Sequence, residues 1–518
     1  MLARTESLAL ARNRGWWEHP YFACACVLVA AIPLLWPALP PLVDLPGHVG
    51  RYHVALTIHD SPILQRDWRY HWGLIGNLGV DLLVMPLAPL LGLELAVKVI
   101  VIAIPLLFVA GLIRLSRAAD GTLSPLLPLA FPLAYGFPLQ LGFVNFMLAA
   151  ALALHALASW IALGRKGQLA WRAALFVPLS CGLWLTHSFG WGLFGLLAFT
   201  AEIVRLRARE RWPRAILFAG LHCAPLALPM LAMLGGAAGS DHSFAYDWRA
   251  KAAWVAALLR ERWKLYDVAC ATVIILVLWT ALRRRRLFRF QPLLGALALV
   301  SFATYLALPR LLLGGAYVDM RMLGIAAAIG IVAIRLQPDA ERFAPRLAIA
   351  AAGFFVLRLA TSTIALALFA QGQQQALAAL PHIPRGAGVL TLVNEPCSTQ
   401  WRSDRFTHLD GLALARRDAF VNGQWALSGQ QLIAPRHPGA APYLADPSQL
   451  VYPAACEYRT TDFAAAVRDF DRGTFAYVWT LGFPARPRLA QDVVLAWSNG
   501  VSALYRVEPR LRATARPH

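Results

Sequence analysis

The segment "LVDLPGHVGRYHVALTIHD" (42–60) places two aspartates, three histidines and an arginine directly after a long apolar run. On a helix beginning near residue 44, Asp44, His48, Arg51 and Tyr52 follow i, i+4, i+7 and i+8 and share one face. A carboxylate beside an imidazole and a guanidinium suits a general base working next to a bound anion. The same residues admit a second reading. Asp44 followed by Leu45 and Pro46 is a good helix N-cap, its carboxylate taken up by backbone N–H groups. Spacing alone leaves both open. His53 and His59 suit interfacial polar positions better than ligand positions.

The elements that carry these residues belong to a membrane. Of 518 residues, 58% are hydrophobic and 15% charged, with a mean hydropathy of +0.53, too little polar surface for a water-soluble chain of this size. Apolar runs long enough for the bilayer recur through residue 370. The net charge of +20 resides in short loops such as "RLRARERWPR" (205–214) and "RRRRLFR" (283–289). Those loops are too short to build a basic groove, which argues against nucleic acid. They match the cytoplasmic retention of Lys and Arg.

That rule threads the chain. Residues 1–20 form a cytoplasmic N-terminus followed by an uncleaved signal-anchor at about 21–39. Residues 40–92 make a large outer loop, within which 77–92 is a juxtamembrane or re-entrant helix. Further spans are expected at 93–116, 122–139, 141–163, 169–186, 189–206, 214–234, 266–282, 290–308, 320–337 and 345–370. The fold class is therefore a polytopic α-helical membrane protein of about 11 transmembrane helices. Residues 371–518 should add a small α/β periplasmic domain. Its β-like runs are "GVLTLV" (388–393), "FAYVWTL" (475–481) and "ALYRV" (503–507), and its helix is "TDFAAAVRDF" (461–470). Of the seven cysteines, only Cys397 and Cys456 lie in that tail, and an oxidising compartment would let them pair.

With this threading the unusual polar residues gather at the outer boundary. Asn77 and Asp81 join the first group from the same loop. Gln140 and Asn145 come from "YGFPLQLGFVNF", and His187 from "LTHSFGWG". Arg310, Asp319 and Arg321 lie in "LPRLLLGGAYVDMRM", while Asp241, Asp247, Arg249 and Asp267 belong to the preceding outer loop. Ionisable groups at such depth are costly and usually functional. Each also has a plainer role as a cap or an interhelical hydrogen bond, although an arginine after "GGAY" suits an anion. No spacing of His, Cys, Asp or Glu marks a metal site, which leaves a divalent cation open.

The arrangement resembles the GT-C superfamily of integral-membrane glycosyltransferases, which includes protein O-mannosyltransferases, lipid A aminoarabinose transferases and the oligosaccharyltransferase catalytic subunit. "LVDLPGHVGRY" matches the position of the acidic residue after their first helix, at Asp44. "GNLGVDLLVMPLAPLLGLELAVKVIVIAIPLL" (76–107) resembles the segment after the outer loop of bacterial members, and "YGFPLQLGFVNF" and "YVDMRM" resemble later motifs. The chain departs from the mannosyltransferase pattern where Leu45, not a second acid, follows Asp44.

The resemblance implies a glycosyltransferase in the bacterial inner membrane, moving a sugar from a polyprenyl-phosphate donor to a glycan, lipid or protein acceptor at the periplasmic face. It implies Asp44 as base and His48 as its orienting neighbour. Arg321, Arg310 and His187 would hold the donor phosphate, and Arg51, Asn77, Asp81, Asn145 and Asp319 would line the substrate site. Inversion of configuration would follow from a single displacement. Two rivals stand beside it. A transporter or flippase of a lipid-linked glycan should carry charges or broken helices at mid-bilayer, and Arg358 and His155 are the residues that would qualify. A non-catalytic scaffold would not require Asp44, His48 and Arg321 to meet.

Overall fold

The computed structural model describes residues 15–235, 244–312, 315–395, 401–402, 405–427, 431–444, 448–453, 456, 462–484, 486–487 and 489–508. Among the described residues, six helices are long and apolar enough to cross a membrane. They are Leu93–Asp120, Val144–Arg165, Leu169–Thr186, Ser188–Arg207, Lys264–Arg283 and the long helix within Pro338–His382. Large apolar side chains such as Leu265, Leu276, Leu299 and Val356 stand exposed on the outer faces of the bundle. Water would not tolerate that much uncovered apolar surface, whereas lipid does.

The expected spans are less regular than eleven continuous helices. The first breaks into Pro20–Val29 and Ile32–Leu35, and the stretch at 214–234 divides into Trp212–Cys223, a 3-10 turn at Ala224–Ala227 and Pro229–Gly235. The stretch 122–139 is not an α-helix. It is a 3-10 helix, Leu127–Tyr135, followed by Phe137–Leu141. Pro128, Pro132 and Pro138 supply no N–H donor, so an i→i−4 ladder cannot run through them. All nine residues of Leu127–Tyr135 are buried, packed by Leu93–Asp120, Met320–Ala333 and Ala344–Leu377. Enclosure by other helices is what makes an irregular backbone tolerable at this depth.

The two ends of the bundle differ. At one end the basic loops meet. Arg335 forks onto Asp120 at 2.9 and 3.0 Å, Arg165 donates to the Ala118 carbonyl at 2.8 Å, and Gln337 reaches the Arg285 carbonyl. At the other end lie Asp44, Gly142, His187 and Arg321, beneath the C-terminal sheet.

Among the described residues, that sheet has six strands. Its main order is Leu450–Val451, Gly388–Asn394, Tyr477–Leu481, Ser502–Val507 and Val493–Ser498, and Phe420–Val421 pairs with the first half of Gly388–Asn394. The pairings around Gly388–Asn394 are parallel, and its interior is buried throughout, as a strand covered on both faces must be. The helix expected at 461–470 is present as Phe463–Asp469. Cys456 is disulfide-bonded, whereas Cys397 lies outside the described residues, as does Asp241.

Among the contacts that bind the C-terminal part to the outer loop are three from helices, strands and an ion pair. The helix Gly411–Arg417 crosses the helix Leu45–Thr57 at very short range. A Cβ on Gly411 would stand 2.2 Å from the Pro46 carbonyl oxygen, so only glycine permits the crossing. The short strand Trp68–Tyr70 pairs antiparallel with Ile433–Pro435. His53 Nε2 meets Asp418 Oδ1 at 2.7 Å, and Arg385 meets the other oxygen at 2.6 Å.

The last contact predicts a pH effect. Burial pushes the Asp418 carboxyl up, but the bonds from His53 and Arg385 outweigh it and hold it below its ordinary value. A depressed carboxyl contributes stability above its unfolded pKa of about 4 and loses it as pH falls through the folded value. Melting temperature should therefore drop in that acidic window, and Asp418→Asn should flatten the drop. An equal acid dependence in wild type and variant would remove Asp418 from the account.

Candidate active site

The helix Leu45–Thr57 begins where the chain leaves the first apolar segment. Its start is held by neighbouring backbone, since Asp44 N–H donates to the Leu141 carbonyl at 2.9 Å and Val43 N–H to that of Gln140 at 3.3 Å. Gly142 makes this approach possible. Its φ is +93°, and a Cβ there would come within 2.8 Å of the Asp44 nitrogen. Asp44 occupies the N-cap position, yet its carboxylate accepts no capping hydrogen bond. Pro46 lies in the first turn and lacks one of the N–H groups that a cap would serve. The capping alternative is thereby removed.

Asp44 instead lines a cavity of about 480 Å³ together with His48, Asn77, Asn145, His187, Ser188, Arg321, Trp425 and Gln431. Two of these come from more than three hundred residues downstream in the chain. Trp425 packs its ring 3.9 Å from that of His408 and 5.2 Å from that of His48, closing the cavity from the sheet side. Burial first, and then the charges of Arg51 and His408, depress the His48 pKa well below the ordinary imidazole value. His48 is therefore neutral at physiological pH, and its Nδ1 is buried without a hydrogen-bond partner among the described residues.

Across the cavity, Arg321 opens the helix Met320–Ala333. Asp319 anchors that turn, its one oxygen accepting from Met320 N–H at 2.8 Å while the other meets the buried Lys251 ammonium at 3.0 Å. Arg321 is buried among the rings of Phe143, Phe146 and Phe189, with its guanidinium carbon 4.4, 5.3 and 5.4 Å from their centroids. It donates to the Ala316 carbonyl at 3.0 Å, its Nε has no partner, and no carboxylate lies within ion-pair distance among the described residues.

His187 sits against it, with Nε2 3.2 Å from Arg321 Nη1. Its Nδ1 accepts from the Phe189 N–H at 3.1 Å, so the network assigns the proton of the neutral ring to Nε2. Burial and the Arg321 charge push the His187 pKa well down, which keeps the ring neutral. Two N–H donors then face one another with no acceptor between them. An anionic oxygen at this point would satisfy both.

Other residues named from the sequence serve this site from behind or lie away from it. Arg51 is buried and donates to Asp81 Oδ2 at 2.8 Å and to Gln431 Oε1 at 2.6 Å, so both of its terminal nitrogens are engaged. Asn145 ties Val80 N–H (2.6 Å) to the Asn77 carbonyl (2.8 Å) and side chain (3.0 Å). Arg310 pairs with Asp247 at 2.9 Å, half-exposed and outside the cavity. Asp267 is buried against Arg358 at 3.0 Å. Trp425 and Gln431 carried no signal in the sequence, because each is an ordinary residue in a loop of the tail.

The Arg51–Asp81 pair gives a stability prediction. Asp81→Ala would leave a guanidinium buried and unpaired, a loss of about 3–5 kcal/mol. A sharp fall in detergent melting temperature is expected, relieved in the double variant Arg51→Met/Asp81→Leu. A single variant that melts like wild type would show the pair to be dispensable. Among the described residues, no group of three or more His, Cys, Asp or Glu could hold a metal ion.

No family model matches the chain, and no curated protein matches it. Two solved structures are similar to it. ArnT from Cupriavidus metallidurans bound to undecaprenyl phosphate is 13% identical with a TM-score of 0.48, covering 96% of this chain and 99% of its own. The apo state of the same protein is 13% identical with a TM-score of 0.49, covering 97% and 98%. At such scores the reading of the site rests on its own residues.

Proposed function

We propose that this protein is a membrane glycosyltransferase that moves a sugar from a polyprenyl-phosphate donor to an acceptor at the outer face of the inner membrane. One observation carries the reading: a carboxylate and a buried arginine that makes no ion pair among the described residues line the same cavity, where the apolar bundle meets the C-terminal sheet. A lipid phosphate arriving from the bilayer would find two unmatched donors, Arg321 and His187 Nε2, at the level of the helix ends. Its apolar tail would remain among the spans.

Asp44 would then take the proton of the attacking hydroxyl or amine as the new glycosidic bond forms. The bond from the anomeric carbon to the phosphate oxygen breaks, and the developing charge falls on the oxygen held by Arg321 and His187. A single displacement of this kind inverts the anomeric carbon. His48, neutral and beside Asp44 in the cavity wall, would orient the carboxylate or the acceptor. Arg51 and Asp81 position the wall and do not touch the substrate.

The transporter reading drew on Arg358 and His155. Arg358 is matched by Asp267, and His155 by the Leu107 carbonyl and Arg114. Matched groups support a structural role better than a mid-bilayer path. The direct test is incubation of the purified protein in detergent with polyprenyl-phosphate sugars and a cell-envelope acceptor extract. Release of free polyprenyl phosphate coupled to a glycosylated product is expected. Donor binding without release, across neutral and amino sugars, would sink the assignment.

A further inference from the structure

The backbone that carries Asp44 rests on the short helix Phe137–Leu141, through Val43 N–H to the Gln140 carbonyl and Asp44 N–H to the Leu141 carbonyl. That helix is held by its own buried side chain. Gln140 Oε1 accepts from Arg405 Nη2 at 2.7 Å, while Nε2 donates to Glu261 Oε1 at 3.1 Å and to the Tyr135 carbonyl at 3.2 Å. A guanidinium has no acceptor, so the amide oxygen must face Arg405. Arg405 Nη1 donates to the Pro41 carbonyl at 2.7 Å, three residues before Asp44. One guanidinium therefore grips both sides of the junction: the chain that leads into Asp44 and the helix on which Asp44 rests. Arg405 is fixed in its own right from a third direction. Its guanidinium carbon lies 3.8 Å from the centroid of the Phe369 ring, and its carbonyl accepts from Gln373 Nε2 at 2.8 Å. Both partners belong to the helix Ala344–Leu377. The φ of Arg405 is +60°, a backbone conformation that is costly for a residue with a side chain and persists only where surrounding contacts impose it.

We propose that Arg405 is a positioning residue for Asp44: its clamp on Pro41 and Gln140 sets where the carboxylate stands in the cavity. The inference rests on the glycosyltransferase reading, with Asp44 as base, and adds a residue of the C-terminal part that acts through it. A general base works only within hydrogen-bond reach of the group it deprotonates, and a displacement of about 1 Å can cost about a hundredfold in rate. Arg405 does not line the cavity that holds Asp44, Arg321 and His187. Loosening the clamp therefore leaves the seat of the donor phosphate in place and moves the base alone. Lysine cannot reproduce the clamp, because an ammonium lacks the planar fork that meets two acceptors at a fixed separation.

The test is a double-variant cycle on the intact protein in detergent. Its donors are polyprenyl-phosphate glucose and polyprenyl-phosphate aminoarabinose, with a cell-envelope extract as the source of acceptor. Arg405→Lys should lower kcat roughly ten- to a hundredfold, with the donor KM and the affinity for bare polyprenyl phosphate within about twofold of wild type. In the Asp44→Asn background, whose residual turnover no longer uses the carboxylate, the same substitution should cost less than about twofold. A merely structural role gives a different pattern: the two losses multiply, and donor binding falls together with melting temperature. Multiplying losses overturn the inference, and so does an Arg405→Lys protein with the kcat of wild type. If Arg405→Lys does not fold, Gln140→Met, which removes the amide from the other side of the clamp, is read in the same way. No turnover by wild type with either donor overturns the glycosyltransferase reading, and this inference with it. Turnover by wild type with either overturning pattern in the variants overturns the inference alone.

Discussion

Asp44→Asn should lower donor turnover by at least about a hundredfold while leaving donor affinity and melting temperature close to wild type. The split between these readouts follows from the local structure. Asparagine keeps the shape of the side chain but cannot take a proton at neutral pH. The bond that fixes the start of the helix is the backbone N–H of residue 44 to the Leu141 carbonyl, which the substitution leaves intact. The Asp44 carboxylate makes no capping bond, so the helix Leu45–Thr57 loses no cap. Turnover in single-donor incubations, affinity for polyprenyl-phosphate glucose and thermal unfolding should be measured on one preparation. Turnover equal to wild type would remove Asp44 as the base. Loss of turnover together with a lower melting point would make its role structural.

Arg321→Gln carries the second large effect, on binding. Hydrogen bonds to a charged partner contribute about 1.5–3 kcal/mol, so affinity for polyprenyl phosphate should fall roughly ten- to a hundredfold or more. Arg321→Lys should lie between, because an ammonium keeps the charge but loses the planar fork. The variant should fold, since Arg321 makes no ion pair among the described residues and its polar contacts go to His187 and the Ala316 carbonyl. Arg310→Gln is the control. Its guanidinium is paired with Asp247 outside the cavity, and it should leave the affinity near wild type. If Arg310→Gln weakens binding and Arg321→Gln does not, the phosphate seat lies at the other arginine and the geometry of His187 means nothing for catalysis.

Both predictions concern residues that sequence reading had singled out, and the reason is physical. The bilayer imposes a local rule, residue by residue: a charge near hydrocarbon is costly wherever it occurs. Asp44, His187 and Arg321 therefore stood out against their apolar flanks before any contact was known. The same local rule exposed the membrane class, the positively charged loops that converge around Arg335 and Asp120, and the strands near Gly388, Tyr477 and Ser502, whose alternation and turn residues lie within a few positions of each other.

Helix regularity was less legible. The run at 122–139 is apolar enough to span, and only its prolines hinted that enclosure by three other helices would let it adopt a 3-10 path.

Partnership was not legible at all. Arg51 and Arg321 are each an arginine near an apolar helix, with little in their neighbours to separate them. Tertiary structure gave Arg51 the partners Asp81 and Gln431 and left Arg321 facing another donor. It likewise dismissed Arg310 to Asp247 and brought Trp425 and Gln431 down from the sheet to close the cavity. Composition and periodicity record what a residue needs from solvent, which the chain settles locally. Which group satisfies a hydrogen bond depends on residues hundreds of positions away, and only folding decides that.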